Sequence, residues 1–125
     1  AAARWNAEAN QSYNIELARL SAEEMTAAMA GERPFRRLAD LKQSLADYQF
    51  DTLLVDPPRA GLDAATLGLA SSFKRVLYIS CNPETLSDNL ATLSSTHNIE
   101  SLAFFDQFPY THHLESGVVL SKKTG

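Results

Sequence analysis

The sequence holds a single cysteine, Cys81, among 125 residues. That excludes an internal disulfide framework and an all-cysteine metal site. No apolar run approaches the roughly 18 residues of a membrane span, so no membrane partner is expected. Basic residues are not in excess either: 11 Lys and Arg against 15 Asp and Glu leave a net charge of −4. Their one small cluster is Arg33, Arg36 and Arg37, and a dedicated nucleic-acid-binding domain normally shows a larger basic patch. The chain opens Ala1-Ala2-Ala3-Arg4 without Met or a targeting segment, which reads as a processed start or a piece of something longer. What is present is a hydrophobic fraction of 45%, with Leu, Ile and Val in blocks. That suffices for the core of one domain, and the length excludes two. The composition suits a cytoplasmic protein.

Hydrophobic period and turn residues divide the chain. Residues 1–11 read as the last turns of a helix. Asn14 to Leu20 alternates apolar and polar side chains, which predicts a short strand. Ser21 with Glu24 three residues on predicts a capped helix, stopped by Gly31 and Pro34. Phe35, Leu38, Leu41 and Leu45 recur at helical spacing, which predicts an amphipathic helix from Pro34 to Ala46. Thr52 to Val55 is continuously apolar or β-branched, as expected of a strand covered on both faces. Pro57-Pro58 ends it. A helix follows from Asp63 to Ser72, then a buried strand from Arg75 to Ser80. Asn82-Pro83 is a cap followed by proline at the first helical position, and Leu86, Leu90 and Leu93 carry that helix to about Ser95. Ile99 to Phe105 and Gly117 to Lys122 read as two last strands.

Strands alternating with helices predict an α/β fold with a parallel, doubly wound sheet. The last two strands lack a helix between them and should form an antiparallel hairpin. Ligands of such sheets sit at the carboxyl ends of the parallel strands. Asp56 and Cys81 each follow such a strand, and Glu115 ends the loop that joins the hairpin at the same edge. The three are therefore expected to converge.

Each carries possible chemistry. Cys81 precedes a helix N-terminus, which stabilises an anion and so favours a thiolate nucleophile; the competing reading is a buried, inert cysteine. Asp56 can accept from a ligand hydroxyl or amine, or serve only as a turn residue. Arg59 can pair with Asp56 or reach a phosphate. The loop from Phe105 to Glu115 gathers aromatics that can stack on a base, and Glu115 can act as a general base. The adjacent His112 and His113 lack a third ligand at a recognisable spacing, so no metal is expected. The arginine cluster reads as a solvated helix face, His97 as a surface turn residue, and Trp5 and Tyr13 as core or staple residues.

Three segments together are distinctive: Val55-Asp-Pro-Pro-Arg-Ala-Gly61, Tyr78-Ile-Ser-Cys-Asn-Pro-Glu-Thr-Leu86 and Phe105-Asp-Gln-Phe-Pro-Tyr-Thr-His-His-Leu-Glu115. In order and spacing they resemble the RNA uracil-C5 methyltransferase family, and the third resembles its tRNA branch more than its ribosomal-RNA relatives. The resemblance implies S-adenosyl-L-methionine as cofactor and the T-loop of tRNA as substrate, in an enzyme that is monomeric at full length. It implies Cys81 as nucleophile, Glu115 as proton acceptor and Asp56 as a cofactor-site residue. Arg59, Phe108, Tyr110 and His112 are the implied substrate contacts. The family's glycine-rich first strand and turn, and its RNA-binding N-terminal region, have no counterpart here. On this resemblance the chain is a carboxyl-terminal part of a Rossmann-like, S-adenosylmethionine-dependent methyltransferase domain, α/β with a final antiparallel hairpin, truncated at the N-terminus and inactive alone. The alternatives are a 23S ribosomal-RNA uracil-C5 methyltransferase and, in another class, a small non-catalytic binding module.

Overall fold

The structure is a computed structural model that describes residues 2–111 and 113–124. The chain divides into two compact units, Ala1–Gln49 and Phe50–Gly125.

The first unit holds two short helices, α1 (Ala2–Ala9) and α2 (Ala22–Met29). The capping box at the start of α2 forms as expected: the Ser21 hydroxyl accepts from the Glu24 amide at 3.1 Å, and the Ser21 amide donates to the Glu24 carboxylate at 2.9 Å. The Ser21 amide, and then the Arg37 and Arg33 charges, hold the Glu24 carboxyl below its ordinary value.

Two expectations fail in this unit. Residues 14–20 form no strand. No neighbouring strand supplies a ladder, and side chains hold the segment instead: Lys42 donates to the Tyr13 carbonyl at 3.2 Å and Arg37 to the Arg19 carbonyl at 3.0 Å. Residues 34–46 are not an α-helix; they hold two 3-10 turns, Arg36–Leu38 and Leu45–Asp47, separated by turns and bends that end in an extended Ser44. Helical spacing of four apolar residues does not suffice, because a short helix is marginal without a core to pack on. No residue of the described first unit is buried. Trp5 and Tyr13 are both exposed rather than packed. The arginines are solvated as expected, though on no α-helix: Arg33 lies over the Phe35 ring at 4.6 Å, and Arg37, in the first 3-10 turn, pairs with Glu24 at 3.1 Å.

The second unit is a four-stranded sheet with two helices. The elements are β1 (Thr52–Val55), α3 (Ala64–Ala70), β2 (Arg75–Ser80), α4 (Pro83–Leu93), β3 (His97–Phe105) and β4 (Glu115–Lys122). The strand order is β1-β2-β4-β3. β1 pairs with β2 in parallel, from Thr52↔Arg75 to Val55↔Tyr78. β4 runs antiparallel to both β2 and β3, with an irregularity in β3 between Ile99 and Ser101. The expected hairpin is therefore present, and its second strand inserts between β2 and β3.

The core lies on one face of this sheet. Val76 and Tyr78 of β2 and Val118 and Leu120 of β4 pack with Leu86 and Leu93 of α4, Ala70 of α3 and Phe73. Each large apolar side chain buried there contributes about 1.5–3 kcal/mol. The other face is open within the unit. Leu54 of β1 is 61% exposed, which corrects the expectation of a strand covered on both faces.

His97 is also a correction. It is buried, not a surface turn residue. Its Nε2 donates to the Phe73 carbonyl at 2.7 Å, and its Nδ1 lies 2.8 Å from the Thr96 hydroxyl. A buried carbonyl beyond the end of α3 has no helical partner of its own, and the imidazole supplies one.

Candidate active site

The site is built where β1 and β2 end and β4 begins. Asp56 stands one residue past Val55, the last pair of the β1–β2 ladder. Cys81 stands one residue past Ser80, and Ser80 pairs with Ser116 of β4. Glu115, the first residue of β4, stands one residue before Ser116 and pairs with Phe105. Continuing the β2–β4 register by one step sets Cys81 opposite Glu115. The topology thus brings Asp56, Cys81 and Glu115 to one sheet edge, as expected from the strand order.

Local hydrogen bonds fix the backbone around Cys81. The Ser80 hydroxyl accepts from the Asn82 amide at 3.0 Å and donates to the Asn82 carbonyl at 2.9 Å. The Asn82 side chain caps α4 by accepting from the Glu84 amide at 3.1 Å, with Pro83 in the first turn. Cys81 is a free, half-buried thiol at this turn. Glu115 is half-buried and Asp56 exposed. Among the described residues the Asp56 carboxylate has no hydrogen bond or ion pair, so it is available to a ligand.

Arg59 does not pair with Asp56; the ion pairs among the described residues are Arg37–Glu24 and Lys42–Glu16. Its backbone is engaged instead. The Arg59 carbonyl accepts from Thr85 Oγ1 at 2.8 Å and from Asn82 Nδ2 at 3.1 Å.

Phe108 and Tyr110, in the loop before β4, project outward. Phe108 is exposed and meets His113 edge to face, with centroids 6.2 Å apart. Tyr110 is fully exposed and has a φ of +65°, a conformation a bulky residue adopts only under local constraint. The constraint is a turn in which the Thr111 amide and hydroxyl both donate to the Phe108 carbonyl, at 3.2 and 2.5 Å. His112 lies outside the described residues. Among the described residues no group of three or more His, Cys, Asp or Glu is placed to hold a metal ion, and no helix is long and apolar enough to cross a membrane.

The sequence pattern alone passed over Asn89. It is buried in α4, where it accepts from Tyr78 Oη at 2.6 Å and from the Leu62 amide at 2.8 Å. Its spacing was a usable signal: Asn89 lies three residues after Leu86 and four before Leu93, on the apolar stripe of the helix. Burial pushes the Tyr78 phenol above its ordinary value; the Leu62 backbone opposes this and the charge of Cys81 adds to it.

Fold and edge together define a Rossmann-like α/β unit with a thiol and two carboxylates at the carboxyl end of its parallel strands. Sequence comparison identifies the family. Residues 1–123 match the model of the tRNA (uracil-5-)-methyltransferase family, and the chain belongs to that family. It is 62% identical over 119 residues to a tRNA/tmRNA (uracil-C(5))-methyltransferase of Acinetobacter baylyi, covering 95% of this chain and 33% of the relative. It is 61% identical over 122 residues to the enzyme of the same name from Neisseria meningitidis, covering 98% and 33%. The chain thus spans about a third of the length of these relatives. Among solved structures it resembles the Pyrococcus abyssi tRNA (uracil-54, C5)-methyltransferase in complex with S-adenosyl-L-homocysteine. That match has a TM-score of 0.52 and 38% identity over 57% of this chain and 18% of the other.

Proposed function

We propose that this chain carries the nucleophile and the proton acceptor of a uracil-C5 methyltransferase acting on tRNA, with S-adenosylmethionine as methyl donor and the T-loop uridine as target. The observation that carries it is the register: Ser80↔Ser116 brings the thiol that precedes a capped helix opposite the carboxylate that starts β4. In this reading the chain supplies the carboxyl-terminal part of the catalytic domain of a longer, monomeric, cytoplasmic enzyme.

Uracil C5 is a weak nucleophile, and the residues present answer that problem in order. The Cys81 thiolate adds to C6, and the electron pair of the C5–C6 double bond moves toward C5 and the O4 carbonyl. Bound S-adenosylmethionine supplies a methyl group made electrophilic by its sulfonium. Glu115 then accepts the C5 proton, the C5–C6 double bond re-forms, and Cys81 leaves as thiolate. Asp56 fits the cofactor site because its carboxylate is exposed, without a protein partner, and fixed by Pro57-Pro58 at a strand end. Both a hydroxyl donor and a cationic centre suit such a group. The exposed ring of Phe108, the ring of Tyr110, His112 and the Arg59 side chain supply stacking surface and charge for a flipped-out base and its phosphates.

The test is covalent capture. RNA containing 5-fluorouridine offers no removable C5 proton, so the thiol cannot leave after methylation. The full-length enzyme is expected to form a stable RNA complex that Cys81→Ala abolishes. A complex that persists in the variant refutes Cys81 as nucleophile.

A further inference from the structure

The segment between β1 and α3 carries Asp56 and Arg59, yet it is held from the side by the helix that follows Cys81. Three polar residues on one stripe of α4 and its cap reach it. Asn82 Nδ2 and Thr85 Oγ1 donate to the Arg59 carbonyl at 3.1 and 2.8 Å. Asn89 takes the Leu62 amide at 2.8 Å and returns a long 3.4 Å bond to the Leu62 carbonyl. The segment itself is closed by a turn in which the Gly61 amide donates to the Pro58 carbonyl at 2.9 Å. Gly61 sits so close to the helix that a Cβ there would fall 2.8 Å from Asn89 Oδ1 and 3.2 Å from Thr85 Cβ. The Asn89 oxygen is shared with Tyr78 of β2, so strand, helix and loop meet at one atom.

We propose that Thr85 and Asn89 are positioning residues: they lock the loop that carries Asp56 onto the helix that Cys81 precedes, so that cofactor site and nucleophile move as one body. A buried polar group with satisfied partners, as Asn89 is, specifies one arrangement rather than adds much net stability, and the half-buried Thr85 adds a second tie. Here the arrangement specified is the distance between the two halves of the reaction. The inference rests on the placing of Asp56 in the cofactor site, and the experiment separates the two.

In the full-length enzyme, hydrogen exchange over residues 57–63 and calorimetric binding of S-adenosylmethionine are measured for Thr85→Val, Asn89→Ala, Tyr78→Phe and Asp56→Ala. Thr85→Val and Asn89→Ala are expected to raise loop exchange and to weaken binding by about tenfold, the scale of one lost hydrogen bond. Thr85→Ser, which keeps the hydroxyl donor to the Arg59 carbonyl, is expected to hold binding to within about twofold of the parent. Tyr78→Phe removes the other partner of Asn89 and is expected to leave both readouts unchanged. Unchanged loop exchange in Thr85→Val and Asn89→Ala overturns the proposal. So does faster exchange with unaltered affinity when Asp56→Ala weakens binding. Should Asn89→Ala fail to fold, Thr85→Val, which keeps the side-chain shape, decides by the same readouts. Unaltered affinity in Asp56→Ala defeats the assignment of Asp56, and the exchange rate of the loop alone then decides whether Thr85 and Asn89 lock it.

Discussion

Cys81 and Glu115 each lie one residue outward from the pair Ser80↔Ser116, where β2 ends and β4 begins. The two are far apart along the chain, and an antiparallel ladder joins them because its register is set by the burial of alternate residues. Val76, Tyr78 and Ser80 on one strand, and Leu120, Val118 and Ser116 on the other, are all buried. A slip of one residue would turn one strand's buried set outward and move Glu115 away from the thiol.

The first prediction concerns that carboxylate. Glu115→Gln keeps size and hydrogen bonding but cannot accept the C5 proton. In the full-length enzyme, methylated product is expected to fall by about 10²–10⁴-fold. At the same time a covalent RNA complex should accumulate on ordinary uridine, because Cys81 cannot leave. Denaturing gel electrophoresis reads the complex, and transfer of a labelled methyl group reads the product. Lost product without the complex would place Glu115 outside the proton-transfer step.

The second concerns pH. The Asp63 carboxylate caps α3 by accepting from the Thr66 amide at 2.7 Å. That amide, then the Thr66 side chain, holds the carboxyl below its ordinary value of 3.8. A depressed value in the folded state means that the stabilisation is complete above 3.8 and is lost as pH falls through the lower folded value. Asp63→Asn keeps the cap without the titration. Its melting temperature is therefore expected to gain on that of the parent as pH drops below this range, and to differ least in slope near neutrality. Parallel profiles down to acid pH would contradict the assignment.

The third concerns His97, which occupies a buried place that the sequence did not announce. His97→Leu fills similar volume but leaves the Phe73 carbonyl without its 2.7 Å donor. An unsatisfied buried acceptor costs about 1–3 kcal/mol. The urea midpoint is expected to fall accordingly with little change in slope. A variant as stable as the parent would show that water replaces the imidazole.

The placing of Asp56, Cys81 and Glu115 at one sheet edge was more legible in the sequence than the fold of the first unit, for a physical reason. Around Asp56 and Cys81 every local signal agrees: apolar strands, a proline stop, an asparagine cap and a proline at the first helical position. Strand order then does the long-range work. In residues 14–20 and 34–46 the hydrophobic periods are present, but periodicity only specifies structure when a face is buried, and no residue of the described first unit is. His97 has the opposite cause: it is a polar residue buried by a partner far along the chain, Phe73, which no short window of sequence contains. For Asn89 the stripe of Leu86 and Leu93 marks the burial, but not the partner, Leu62.

The last prediction uses the closest approach found at the described glycines of the second unit. Gly61 has a φ of +77°, and a Cβ there would meet Asn89 Oδ1 at 2.8 Å. Gly61→Ala therefore meets two separate costs. The left-handed backbone costs a residue with a Cβ about 1–2 kcal/mol. The clash with a side chain already bound to Tyr78 and the Leu62 amide leaves little room for relief, because moving Asn89 breaks both bonds. A loss of about 2–4 kcal/mol is expected in urea unfolding of the full-length protein, as the sum of strain and one disturbed buried network. Gly68, in α3, is the control: nothing lies within 4 Å of its would-be Cβ, and its φ is not positive. Gly68→Ala is expected to stabilise by up to about 1 kcal/mol, since alanine is the better helix former. Equal effects at the two glycines would mean that the loop does not press on α4 as the distances require.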